Sequence, residues 1–598
     1  MQNLVLIALF APFISFLLAG TFSFAKKSIV LGFVCSLLIS LSALCSIILL
    51  FMGQNFNIEF IEWIGLINLS FGFNIDTISL VMMSVVGVVA SCVHFYSIFY
   101  MAGDEKFNKF FSFLGLFVFS MLFLVMSDNF LGLFVGWEGV GLCSWLLIGF
   151  WYQNNTYSFA ANEAFIMNRM ADLGMLLGIF WLYLQTGSLK FNEVFANISS
   201  FDHTSLILIA SCLFIGAMGK SAQFPFHTWL ADAMAGPTPV SALIHAATMV
   251  TAGVYLVIRA SAIYDLVFEV SYFIAILGTF VALFAASMAL VAKDLKRIIA
   301  YSTLSQLGYM FVAAGLGAYS IALFHLATHA FFKALLFLGA GNVMHAIDNE
   351  LNIKKMGGLY KSMKITAIFM CLGSLALAGI YPFAGFFSKD LIMGYAFISH
   401  NHGLFLGLLI ATFLTAFYSF RLLMLVFFTP ARHFNHAHEA SKLAILAMSP
   451  LMILACIMGF FEHQFFNFVS IDLPFIDAKN TLVIILALSV TLLGILFAIL
   501  AYRNNWFKPS LEKRWFYKIL ANDYFIPKLY HQYFVAKFSS LCVLLKDFDI
   551  QVIDNFVQGI ANSFMKTSQS LIMPNNLNLM LKFIVLAFVL LLLIVWGI

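Results

Sequence analysis

GAMGKSAQFPFHTWLADAMAGPTPV (216–240) and ALAGIYPFAGFFSKDLI (376–392) each set a lysine and a proline inside an otherwise apolar run. In the first, Lys220 precedes Pro225 and the Gly236-Pro237-Thr238-Pro239 break; in the second, Pro382 and Gly385 precede Lys389. Proline removes a backbone donor and clashes with the preceding turn, so a helix is interrupted here and its carbonyls are freed. At membrane depth such backbone survives only where protein buries it or a cavity receives it. Paired interruptions in two halves of a chain point to inverted repeats. The two prolines lie 157 residues apart, five apolar runs per interval, and an odd number of spans inverts the second unit. A repeat is therefore expected at about 110–260 and 269–428, with two unrelated helix kinks as the alternative.

The surrounding composition settles the solvent. Of 598 residues, 63% are hydrophobic and 10% charged, whereas soluble domains carry about 25% charged residues. A net charge of +4 is too small for a nucleic-acid surface. All eight cysteines sit in apolar runs and none forms a CxxC, so a disulfide framework, an Fe–S cluster and a zinc site lack support. Sixteen continuous apolar runs, the first at 3–20 and the last at 577–597, suit spanning helices rather than barrel strands. The first run lacks a basic leader and an Ala-x-Ala site, so it reads as a retained helix. Thirteen Lys and Arg fall in one set of loops, against Lys190, Arg259 and Lys479 in the other, which puts both termini outside.

Ionisable residues inside spans are functional candidates, because each costs about 3 kcal/mol at the bilayer centre. Here they are Glu138, Arg169, Asp172, Lys220, His245, His325, His329, Lys333, Lys389, Asp390 and Arg421. His325, His329 and Lys333 recur at i, i+4 and i+8 in FHLATHAFFKALLF (324–337), so they line one helix face. Neutral imidazole can take a proton on one nitrogen and release one from the other, which makes the stripe a relay. A structural histidine pair and an HxxxH zinc site are the rival readings, the latter without a third ligand. Gly219-Lys220-Ser221 ends like a phosphate loop, but Phe214 replaces its first glycine. Gly136, Gly139 and Gly141 have the wrong spacing for a dinucleotide fingerprint and suit helix packing. The loop 432–438, RHFNHAH, reads as a solvated loop before it reads as a metal site. No cofactor is expected in this chain.

Between about 503 and 576 charges mix with apolar residues three or four apart, which gives an amphipathic helix of roughly 35–45 residues, about 55–65 Å. By composition it rests at the lipid interface.

FVGWEGVGLCSWLLIGFW (134–151), the stretch 219–255, KDLKRIIAYSTLSQLGYM (293–310), HLATHAFFKALLFLGAGNVMH (325–345) and GFFSKD (385–390) closely resemble the antiporter-like subunits of respiratory complex I. Lys389, where a sister subunit carries an acid, and the amphipathic stretch before the last span resemble the distal member of that set. The resemblance implies an all-α polytopic membrane protein with about 16 transmembrane helices. It would contain two inverted five-helix repeats with discontinuous helices and a C-terminal lateral amphipathic helix that braces neighbouring subunits. The organisation expected is 1–109, three helices; 110–260 and 261–430, the repeats; 431–510, two further helices; 511–576, the lateral helix; 577–598, a terminal anchor. Function would be proton translocation driven by quinone reduction in other subunits of a NADH:quinone oxidoreductase. A cation/proton antiporter subunit, a related membrane-bound hydrogenase subunit and a mainly structural brace are the alternatives. Glu138 and Lys220 would form an acid–base pair, Asp172 would couple to the neighbour, and Arg169 would pair with an acid. His245, His325 and His329 would relay to Lys333, the central carrier, with Lys389 and Asp390 at the exit. Partners would be the antiporter-like subunits M and N, in a bacterial inner membrane.

Overall fold

The computed structural model describes residues 1–65, 69–432, 437–474, 477–507, 509–571 and 579–596. Among them, 14 helices are long and apolar enough to cross a membrane, from Gln2–Thr21 to Thr481–Arg503. Two of the sixteen expected runs fall short. The run at 365–396 is divided into Lys364–Ala378 and Ala384–Ile398 by the turn that contains Pro382, and the last helix, Leu579–Val595, has 17 residues. The first proline also interrupts its helix. His203–Lys220 stops at the lysine, and the short helix Thr228–Asp232 and a 3-10 turn precede the next span. That span is itself divided, into Thr238–Ala246 and Met249–Arg259.

Three spans form the buried centre: Thr238–Arg259, Leu295–Gly315 and Tyr319–Ala346 are covered by protein along their whole apolar windows. Lipid offers no hydrophobic drive for helix association, so close packing on small residues must supply it. Gly278 and Gly308 show this: a β-carbon on either would fall 2.5–2.6 Å from the other's carbonyl oxygen.

One β-hairpin, Phe56–Ile64 with Leu69–Ile75, departs from the all-helical expectation. FNIEFIEWI alternates cleanly only at its start. Register shifts at Glu59/Ile61 and Glu62/Ile64 then break the period of two by which a strand is recognised. The hairpin leads into Asp76, which caps Thr77–Tyr100 through a capping box with Ser79. Arg259, counted above as a loop charge, is 5% exposed and grips the same carboxylate, its Nη2 donating to Asp76 Oδ1 over 3.0 Å. Tyr255 accepts from Arg259 Nε (3.1 Å) and donates to Val125 O (2.7 Å). Burial alone would push the Asp76 carboxyl up, but the guanidinium beside it holds it below the usual carboxylate range.

The chain forms two units, Met1–Ala521 and Asn522–Ile598. In the first, Glu512 bridges Lys293 (2.8 Å) and Lys354, which ties the turn Pro509–Lys513 to two loops and holds the Glu512 carboxyl down to about 2. Residues 511–521 of the segment expected to be lateral belong to the first unit. In the second unit helix starts at Ile526 and continues through two π-helical stretches, His531–Val535 and Asp549–Asp554, to Leu571. At 1.5 Å per residue its 46 residues span about 70 Å.

Asp76→Asn leaves a buried guanidinium without its counter-charge, which should cost about 3–5 kcal/mol. Thermal unfolding of the detergent-solubilised protein should show a clear drop in Tm. Because the folded carboxyl is held below its ordinary value, the wild-type contribution is present above about pH 4 and fades as pH falls toward the folded value.

Candidate functional site

Lys220 is the last residue of its half-helix, where the unpaired carbonyls favour a cation. Its Nζ lies 3.0 Å from Asp172 Oδ2, and both side chains are buried. Trp137 Nε1 donates to the other carboxylate oxygen over 2.6 Å. The acid on Lys220 is thus Asp172 and not Glu138, which the resemblance had paired with it. Glu138 instead pairs with Arg169, one turn from Asp172 on the helix Asn155–Thr186. The Arg169 side chain is 40% exposed and that of Glu138 19%, so this pair lies farther out than the closed-in Lys220–Asp172 pair. Arg169 and Asp172, three residues apart on this helix, each take the oppositely charged neighbour across the helix packing.

The interruptions expose backbone oxygens, and side chains take them. Trp229 Nε1 donates to Gly219 O (3.1 Å) beside Lys220. Lys389 Nζ reaches Leu377 O (3.4 Å), freed because helix Lys364–Ala378 ends there, and stands 4.9 Å from the Tyr309 ring centre. Lys296, only 3% exposed, donates to Gly236 O (2.8 Å) within the Gly-Pro-Thr-Pro break. Lys296 and Arg297 were read as loop charges. They are the first-turn residues of a helix capped by Asp294, a place the helix dipole disfavours for cations. Each therefore needs another partner: Lys296 has the carbonyl, and Arg297 pairs with Asp232. Thr228 Oγ1 in the same region donates to Glu163 Oε1 (2.7 Å).

His325, His329 and Lys333 share the buried centre of Tyr319–Ala346 and are all 0% exposed. The two imidazole centres are 6.3 Å apart. Lys333 Nζ donates to Ser302 Oγ and, at 3.4 Å, to Ile299 O; among the described residues no acid pairs with it. His325 is held on both sides, Nε2 3.2 Å from Gln306 Oε1 and Nδ1 2.9 Å from Ser388 Oγ. His245 packs between Trp229 and Phe337, with ring centres 6.4 and 5.6 Å away. Asp390 follows Lys389 in the second half-helix and is half-buried between buried chain neighbours. Arg421 serves the fold: it donates to Ala289 O (3.2 Å) and Ala292 O (2.8 Å) at the end of Phe268–Val291. Ser302, Gln306, Ser388 and Trp137 lie at the site but escaped the sequence reading, since neutral polar residues carry no membrane-cost signal. In the loop 432–438, His433 and His436 lie outside the described residues.

Residues 127–416 match the family described as NADH:quinone oxidoreductase/Mrp antiporter, and 60–111 match the N-terminal family of complex I chain 5. The NADH-quinone oxidoreductase subunit L of Campylobacter jejuni is 73% identical over 596 residues, covering 100% of both chains. That of Rickettsia felis is 42% identical over 85% of this chain and 84% of its own. Among solved structures, the Mrp complex from Dietzia sp. superposes with a TM-score of 0.78 at 23% identity, over 96% of this chain and 63% of that one. The archaeal membrane-bound sulfane sulfur reductase gives 0.70 at 22% identity, over 78% and 96%. At these identities the two structures share the fold.

The inner and outer pairs should respond differently to neutralisation. Asp172→Asn strands a buried ammonium and should cost about 3–5 kcal/mol. Glu138→Gln removes the acid from a pair whose arginine is 40% exposed and should cost less than Asp172→Asn. Thermal unfolding in one detergent ranks the two, and equal losses would place the buried counter-charge elsewhere.

Proposed function

The chain belongs to the antiporter-like family of NADH-quinone oxidoreductase subunits, and from that premise we propose that protons cross it along its buried lysines and histidines. It is a multi-pass, proton-translocating membrane-arm subunit of a respiratory complex. The proposed path runs from Lys220 with Asp172 past His245 to Lys333 and His329, then by His325 to Lys389 and Asp390. The observation that carries it is Lys333, a lysine with 0% exposure midway along that line, held by a hydroxyl and a carbonyl rather than by an acid. With no acid beside it the charged form of Lys333 is weakly held, which suits a group that releases its proton.

The two ion pairs suggest how the first step is driven. With Glu138 charged, Arg169 is occupied and Asp172 stays on Lys220. A charge change at the exposed Glu138–Arg169 pair frees Arg169 to draw Asp172 away. Lys220 then loses its counter-charge and yields a proton to the line. Because the Arg169 side chain of that pair is 40% exposed on this chain, it is the proposed contact with the neighbouring antiporter-like subunit, M or N. The segment from Ile526 to Leu571 would brace further subunits.

Each proposed repeat, 110–260 and 261–430, holds one proline-interrupted helix with a buried lysine, which supports reading them as repeats, and an odd number of spans per unit inverts the second. Lys220 ends a half-helix before Pro225, whereas Lys389 follows Pro382 near the start of one. Redox chemistry is assigned to other chains of the complex, with no cofactor here. The loop charges support an inner-membrane protein with both termini on the periplasmic side.

Lys333→Ala and, separately, Lys389→Ala should lower proton pumping and coupled quinone reduction by about tenfold, equivalent to ~1.4 kcal/mol in the barrier. Both rates are measured in membranes after assembly of the complex is verified. Full rate and stoichiometry in both variants would make the subunit a brace.

A further inference from the structure

Helix Ala384–Ile398 carries a hydroxyl that the lysine and histidine path does not use. Ser388 is 0% exposed, and its Oγ lies 2.9 Å from His325 Nδ1 and 2.9 Å from Thr328 Oγ1. Across the ring, His325 Nε2 is 3.2 Å from Gln306 Oε1. A carbonyl oxygen only accepts, so Nε2 carries the ring proton and Nδ1 is left as the basic nitrogen. The base of this histidine therefore faces Ser388 and nothing else.

Both charge states of the ring are satisfied there. With the ring neutral, the Ser388 hydroxyl donates to Nδ1. With the ring protonated, Nδ1–H donates to Ser388 Oγ, and the serine hydroxyl turns to Thr328 Oγ1. Thr328 can receive it because its own proton rests on His325 O, 3.0 Å away. Buried polar groups are costly when unpaired, and a hydroxyl pair that pairs fully in either state removes that penalty from a change of state.

We propose that Ser388, backed by Thr328, is the positioning hydroxyl that lets His325 carry a proton of the line at Nδ1 without leaving a buried group unpaired. This rests on the reading of the buried line as a proton path. When Nδ1 gains a proton the ring becomes an imidazolium, Nδ1–H donates to Ser388 Oγ and the serine hydroxyl donates to Thr328 Oγ1. When that proton leaves, the serine hydroxyl turns back to Nδ1, and Gln306 fixes which nitrogen takes part.

The test compares Ser388→Ala, Ser388→Thr and Lys333→Ala in assembled complexes, by proton pumping and quinone reduction in sealed membrane vesicles. Ser388→Ala removes one oxygen and should lower pumping by about tenfold, while Ser388→Thr, which keeps a hydroxyl, should retain about half or more. The proposal is overturned if Ser388→Ala pumps at the wild-type rate, or if Ala and Thr variants fall equally, which marks a packing role. Lys333→Ala separates the two levels. Loss of pumping there with normal pumping in Ser388→Ala sinks the serine alone, whereas normal pumping in Lys333→Ala sinks the path itself.

Discussion

A lysine ammonium removed from water loses its hydration, and Lys220, Lys296, Lys333 and Lys389 are each no more than 3% exposed. How each is compensated determines what it can do. Lys220 has a full counter-charge in Asp172, itself fixed by the Trp137 indole. Lys296 and Lys389 have freed backbone carbonyls, and Lys333 has a serine hydroxyl and a carbonyl. Compensation thus weakens from the first half of the chain to the centre, which suits a proton that starts on a well-held site and moves through poorly held ones.

The interruptions make this arrangement possible. An unbroken helix commits its carbonyls to its own amides, so it offers a buried cation little beyond a long shared contact such as Ile299 O to Lys333. Where His203–Lys220 and Lys364–Ala378 stop at membrane depth, oxygens point into the bundle, and Trp229 and Lys389 occupy them. The surrounding helices need no such adaptation; their tight contacts, as at Gly278 and Gly308, supply the rigid frame that holds the polar line in place.

Much of this is legible in the sequence because the membrane taxes charge heavily. Lys220, Lys333, Lys389 and the two histidines stand out as ionisable residues in apolar runs, and the prolines mark the breaks. Partner choice is not legible. Asp172 and Glu138 are equally plausible acids for Lys220 on a helical wheel, and only packing decides that Arg169 takes one and Lys220 the other. Residues beside span ends also mislead. Arg259 and Lys296 read as loop charges, yet tertiary contacts bury them against Asp76 and Gly236. The strands Phe56–Ile64 and Leu69–Ile75 are hidden by their register shifts, and neutral groups such as Ser388 and Gln306 carry no mark in composition at all.

The central claim is that the buried, paired lysine of the first half is a working proton carrier and not a structural cation. Its most direct test is the number of protons moved per electron pair in sealed vesicles bearing Lys220→Met, with assembly confirmed. The account predicts a reduced ratio together with slower quinone reduction, because the first site of the line can no longer load. An unchanged ratio at an unchanged rate would contradict it.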